Sequence, residues 1–286
     1  MVGEVTERIA AARSARLPSD LKLRIVSGLV LAGVALAADY AGPPSFAALV
    51  VVVAGLMCWE WGAVVRRRAL DAVHVMHAAS VAAAAMLAAG GAYTLALSTL
   101  ALGCILIVVV RPAAAPWLSV LGVPYVGLPA VALIWIRNDE PFGALAVLFI
   151  FAVVWTTDTF AYVCGTLIGG PKLWPRLSPA KTWAGTIGGL LFAAAAGFLL
   201  AVLIGRPSPV TLAATALFLS VCAQAGDLAE SALKRAFDVK HASRLIPGHG
   251  GFLDRMDGIV VAASAAALAA MLVNIAEPAR ALLFWH

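Results

Sequence analysis

The residues with the most chemistry to offer lie between Ala225 and Gly258, AGDLAESALKRAFDVKHASRLIPGHGGFLDRMDG. This stretch carries Asp227, Glu230, Asp238, Asp254 and Asp257 together with Lys234, Arg235, Lys240, Arg244 and Arg255, in a chain that is only 12% charged. Apolar runs from Leu212 to Cys222 and from Ile259 to Val273 flank it. Charge at such depth in an apolar sequence is costly and marks a functional site by default. A helix starting near Thr211 and running to about Phe237 would put Asp227, Glu230 and Lys234 at i, i+3 and i+7, on one face. Asp254 and Asp257 stand three apart where the next apolar helix begins. Between the two pairs, Pro247-Gly248-His249-Gly250-Gly251 cannot stay helical, and its glycines let backbone approach a ligand closely. Acids of this kind suit a hard cation such as Mg²⁺, and the lysines and arginines suit phosphate oxygens. The same residues also suit a salt-bridge network in which Asp227, Asp254 and Asp257 partner Lys234, Arg235 and Arg255. Glu230 is open to either reading, because Lys234 lies at i+4.

A second polar cluster, Asp158 to Gly185, reads DTFAYVCGTLIGGPKLWPRLSPAKTWAG. Asp158, Tyr162 and Gly165 share one helical stripe. The helix gives way at Gly169-Gly170-Pro171, and Ser178-Pro179-x-Lys181-Thr182-Trp183-x-Gly185 opens the next span. Lys181 and Ser178 are candidate nucleotide-phosphate contacts, against a plainer reading as headgroup anchor and cap. Ser178 and Thr182 suit capping or phosphate donation. Asp158 is either functional or a buried acid bonded to Tyr or Ser.

The elements that must position these clusters are transmembrane. Hydrophobic residues make up 63% of the chain and mean hydropathy is +0.97, against about 45–50% apolar residues in a soluble domain. Apolar runs of about 20 residues have the length of spanning helices, not of barrel strands. The first is Ile25 to Ala38, followed by spans near 44–65, 73–90, 92–110, 116–136, 142–164, 184–204, 208–228 and 257–275. The fold expected is all-α and polytopic, with about nine transmembrane helices. The fifth should be kinked or broken at Pro124, Gly127 and Pro129. Residues 1–22 form a polar arm, and 23–286 a single membrane domain whose catalytic half is about 142–275. Alanine runs at Ala82–Ala85 and Ala193–Ala196 suit close helix packing. Cys58, Cys104, Cys164 and Cys222 read as buried thiols. His74 and His77 read as loop histidines, and Glu60 as a structural partner of Arg66, Arg67 and Arg68. With the N-terminus in the cytoplasm, all of the 20 Lys and Arg residues except Arg137, Arg206 and Arg280 fall on the inside. That bias follows the positive-inside rule, gives both polar loops to the cytoplasmic side and puts the C-terminus opposite. Nothing in this charge pattern suggests nucleic acid.

Ser231-x-Leu233-Lys234-Arg235, Lys240, Ser243 and Ile246-Pro247-x-His249-Gly250-Gly251-Phe252-x-Asp254-Arg255-Met256-Asp257 closely resemble the signature of the phosphatidate cytidylyltransferases. The Asp158 to Gly185 segment resembles the pattern that precedes that signature. One departure is His241, where the family usually has Asp. The resemblance implies an inner-membrane enzyme that joins CTP and phosphatidic acid to give CDP-diacylglycerol and pyrophosphate, and it implies a homodimer. It implies Mg²⁺ on Asp227, Asp254 and Asp257, with Glu230 less firmly included, and four carboxylates leave room for a second cation. Asp227, Lys234, Arg235, His249, Asp254, Arg255 and Asp257 would be catalytic. Asp158, Tyr162, Ser178, Lys181, Thr182, Ser231, Lys240, Gly250 and Gly251 would bind substrate. His249 fits a phosphate or loop contact better than a general base, since a phosphomonoester has a second pKa of about 6 and is mostly ionised already. Two other readings compete. A CTP-using lipid kinase would need a real base. A transporter should show interrupted helices in both halves, whereas both polar clusters here lie in the second half.

Overall fold

The computed structural model describes residues 19–67, 70–110, 116–206, 208–239, 242–243, 245–246 and 250–285. Most of the expected polar arm lies outside them, as do Lys240, His241 and His249. Ten helices are described: α1 Ser19–Tyr40, α2 Pro43–Val65, α3 Ala72–Ala89, α4 Tyr93–Val110, α5 Pro116–Arg137, α6 Gly143–Leu167, α7 Trp183–Leu203, α8 Pro209–Ala236, α9 Leu253–Val273 and the short α10 Pro278–Phe284. The eight from α2 to α9 are long and apolar enough to cross a membrane, and α1 adds a shorter apolar stretch at Val26–Tyr40. The architecture is therefore the all-α polytopic one expected. Gly90 and Gly91 do divide α3 from α4, because Gly91 takes a positive φ of 80° that ends the helix.

Successive helices run up and down, so the links gather at two ends. At one end lie the α2–α3 link, the segment between α6 and α7, and the segment between α8 and α9. Arg66 pairs there with Asp71 at 2.9 Å. Burial would raise the Asp71 carboxyl, but the hydrogen bonds from Arg66 and the His74 N–H outweigh it and hold its pKa below the usual carboxylate value. At the opposite end, buried Arg137 pairs with Asp39 at 2.6 Å and with Glu140 at 2.6 Å. Asp139 there accepts hydrogen bonds from the Ala279 and Arg280 N–H groups.

Packing relies on small residues, as expected where lipid tails remove any hydrophobic preference for helix over bilayer. Ala84, Ala85 and Ala193 have no exposure at all. The contact that matters most for the site is between α8 and α9. A Cβ on Gly226 would collide with the Asp257 backbone oxygen, so only glycine lets the two helices meet there.

Pro124 and Pro129 lie inside α5, which is not broken there but runs from Pro116 to Arg137; neighbouring helices and local adjustment can absorb the lost hydrogen bonds. Three expectations change. His74 and His77 belong to α3, not a loop, because Asp71 caps that helix by accepting the His74 N–H at 2.7 Å. Among the described residues Glu60 pairs with neither Arg66 nor Arg67, and Arg68 lies outside them; its partners are described below. Finally, a small antiparallel hairpin, β1 Lys172–Trp174 with β2 Ser178–Thr182, precedes α7. Pro171, Pro175 and Pro179 deny this segment a helix, and a two-stranded ribbon has edges where proline is tolerated.

Candidate active site

The hairpin and α8 meet through one ion pair. The Lys181 Nζ stands 2.7 Å from Asp227 Oδ2, with both side chains partly exposed. Thr182 ends the strand and caps α7, accepting the Gly185 N–H at 3.1 Å. Its hydroxyl oxygen is therefore the cap of α7. Ser231, one turn after Asp227, reaches Asp227 Oδ1 at 3.5 Å. Because Gly226 lets α9 close on α8, Asp257 comes beside Asp227. Asp257 interacts electrostatically with Asp227, Glu230 and Asp158. Asp158, on α6, interacts with Asp227, Lys181 and Arg255. Three carboxylates from three helices thus share one locality with Lys181 and Arg255.

A second cluster surrounds Lys234. Its Nζ contacts Glu230 and stands 2.8 Å from Asp254 Oδ1. Glu230 and Asp254 are 1% and 4% exposed, so each carboxylate needs the compensation it receives. Asp254 Oδ2 also accepts the Gly251 N–H at 2.9 Å and the Ala242 N–H at 3.2 Å. Asp254 is in the first turn of α9, where a carboxylate is favoured by the helix dipole. It pins the glycine-rich segment to both α8 and α9. The C-terminus of α8 is itself closed by a left-handed Asp238 (φ 55°), with Val239 N–H donating to Lys234 O and Asp238 N–H to Arg235 O.

Glu60 on α2 completes this scaffold. It has no exposure. Its carboxylate accepts the Ser243 hydroxyl at 2.5 Å, the Phe252 N–H at 3.0 Å and the Leu253 N–H at 2.6 Å. These last two are orphan donors at the start of α9. Gly251 is required beside it, since a Cβ would lie 2.5 Å from Glu60 Oε1. The only hint in the sequence was an acid placed between Trp59 and Trp61.

The predicted site residues therefore divide. Lys181, Asp227, Asp158, Asp257, Ser231 and Arg255 come together. Lys234, Glu230 and Asp254 form a buried ionic staple next to them. The Gly251 N–H is used by Asp254, and the Gly250 N–H by Ile246 O at 3.1 Å, so neither points freely at a ligand as expected. Arg235 and Tyr162 are exposed, and Ser178 pairs with Trp174 across the hairpin. Among the described residues no three His, Cys, Asp or Glu side chains stand in a geometry that holds a metal ion. Glu230 is engaged by Lys234, and Asp254 by Lys234 and two backbone N–H groups, as Asp227 is by Lys181. Asp158, Asp227 and Asp257 fit one by donor chemistry: hard oxygen ligands whose mutual repulsion a divalent ion would relieve.

Residues 22–273 match the cytidylyltransferase family. A phosphatidate cytidylyltransferase of Brucella abortus is 39% identical over 248 residues, spanning 86% of this chain and 92% of that protein. One of Bacillus subtilis is 42% identical over 137 residues, 48% of this chain and 51% of that protein. One of Staphylococcus saprophyticus is 40% identical over 141 residues, 49% and 53% respectively.

Proposed function

The chain belongs to the cytidylyltransferase family, and on that footing we propose that it transfers the cytidylyl group of CTP to phosphatidic acid, giving CDP-diacylglycerol and pyrophosphate. An oxygen of the lipid phosphate attacks the α-phosphorus of CTP. The bond from that phosphorus to the oxygen bridging the β-phosphate breaks in line, and pyrophosphate leaves with the electron pair. The nucleophile is mostly ionised near neutral pH, so the protein needs to align it and offset its charge more than to remove a proton. Arg255, with its side chain exposed at the charged end of α9, takes the lipid phosphate. Lys181 leaves Asp227 for the triphosphate when the nucleotide arrives, and exposed Arg235 adds positive charge. The Lys234 staple holds the ends of α8 and α9 at fixed separation. Mg²⁺ bound at Asp227 and Asp257, beside Asp158, would supply Lewis-acid neutralisation of the triphosphate and of the leaving pyrophosphate.

The remaining parts of the proposal concern setting. The charged end faces the cytoplasm, where the nucleotide is, which leaves the Arg137, Arg206 and Arg280 end outside. The enzyme works as a homodimer, which the mass of the detergent-solubilised particle tests. The observation that carries the reading is the Lys181–Asp227 pair, which joins the two polar segments into one locality. Purified protein given CTP, Mg²⁺ and phosphatidic acid should release pyrophosphate and CDP-diacylglycerol in equal amounts. Release of CDP with a newly phosphorylated lipid would assign it to the kinases instead.

A further inference from the structure

A cavity of about 510 Å³ opens beside the site, walled by α1, α2, α5, α6 and α9. Among the described residues its lining is apolar apart from Asp158, Thr159 and Arg255, which all lie toward the charged end. Met57 lines it near that end and Phe46 at the far end. Eleven residues of α2 separate these two, or about 16 Å at the rise of a helix. A hydrocarbon core is about 30 Å thick, so the cavity is about as deep as one leaflet. At the far end Phe46 and Phe151 approach with ring centroids 6.3 Å apart, and Trp155 stacks on Phe151 at 5.4 Å.

We propose that this cavity takes one acyl chain of the lipid substrate, with Arg255 at the phosphate end and the Phe46–Phe151 pair as the floor that sets chain length. The inference rests on the proposed cytidylyl transfer and deepens it. The depth matches a single chain from one leaflet. Among the described residues Arg255 is the cation of the lining, and it sits where such a chain joins its phosphate, beside the carboxylates of the reaction site. It also gives α1 and α2 a function: they form the outer wall that keeps the chain in register with the phosphate.

The test is a chain-length profile. kcat/KM is measured for phosphatidic acids with short, medium and long saturated chains, using wild type, Ala130→Phe and Phe46→Ala. Ala130 lines the cavity, so its phenylalanine variant shortens the available space. A buried methylene is worth about fourfold in binding. Ala130→Phe should therefore lower the long-to-short ratio by about tenfold, while Phe46→Ala should move the optimum to longer chains. KM for CTP should not move in either. Each ratio is taken within one preparation, so partial loss of folded protein cancels. Three coincident profiles, even at lower absolute rates, overturn the acyl-site assignment and leave the transfer reaction standing. A wild type that converts none of the lipids overturns the reading beneath it.

Discussion

Glu60 and Asp227 are both acids near bases, yet their surroundings give them opposite work. Glu60 is sealed inside the protein and spends its lone pairs on a hydroxyl and two backbone N–H groups. Glu60→Ala should strand those donors at about 1–3 kcal/mol each. Thermal unfolding in detergent should show a large fall in Tm, and Glu60→Gln should recover part of it; equal melting of wild type and alanine variant would remove the scaffold role. Asp227 is partly exposed and holds a lysine that a nucleotide can claim. Asp227→Asn should lower kcat by about a hundredfold or more while Tm changes little, and a variant with normal turnover would take Asp227 out of the site. The residue types of the site were legible because charge is scarce in this chain. Which acids stand together was not. Asp254 and Asp257 are three apart in sequence, yet one is held by Lys234 and the other interacts with Asp227. Glu60 lies 183 residues from Ser243, a distance over which no local pattern speaks.

At the scale of elements, the spans and the extension of α8 to Ala236 could be read from hydropathy and spacing. The hairpin could not, because its strands are too short to show alternation and three prolines hide them. Gly226 was equally silent, since its role depends on where α9 passes. Gly226→Leu should force α8 and α9 apart. Overpacking of this kind costs about 1–3 kcal/mol. It should reduce both melting temperature and kcat, because it moves Asp227 away from Asp257. Activity and Tm both equal to wild type would show that the two helices need not touch for the chemistry.

At the scale of the molecule, charge is sorted between the two ends. Arg66, Lys172, Arg176, Lys181 and Arg235 belong to the site end, and Arg137, Arg206 and Arg280 to the other. In a cysteine-free background, a cysteine replacing Arg176 should be labelled by an impermeant reagent only after cells are opened. One replacing Glu277 should be labelled in intact cells, and the reverse pattern would invert the orientation. The whole account depends on two distant polar segments acting as one pocket, and a double-mutant cycle on Lys181 and Asp227 measures that directly. If Lys181→Ala and Asp227→Asn act on a shared nucleotide site, their effects on kcat/KM for CTP should be non-additive by about 1 kcal/mol or more. Strict additivity would mean that the hairpin and α8 serve separate functions, contrary to the single pocket argued from their ion pair.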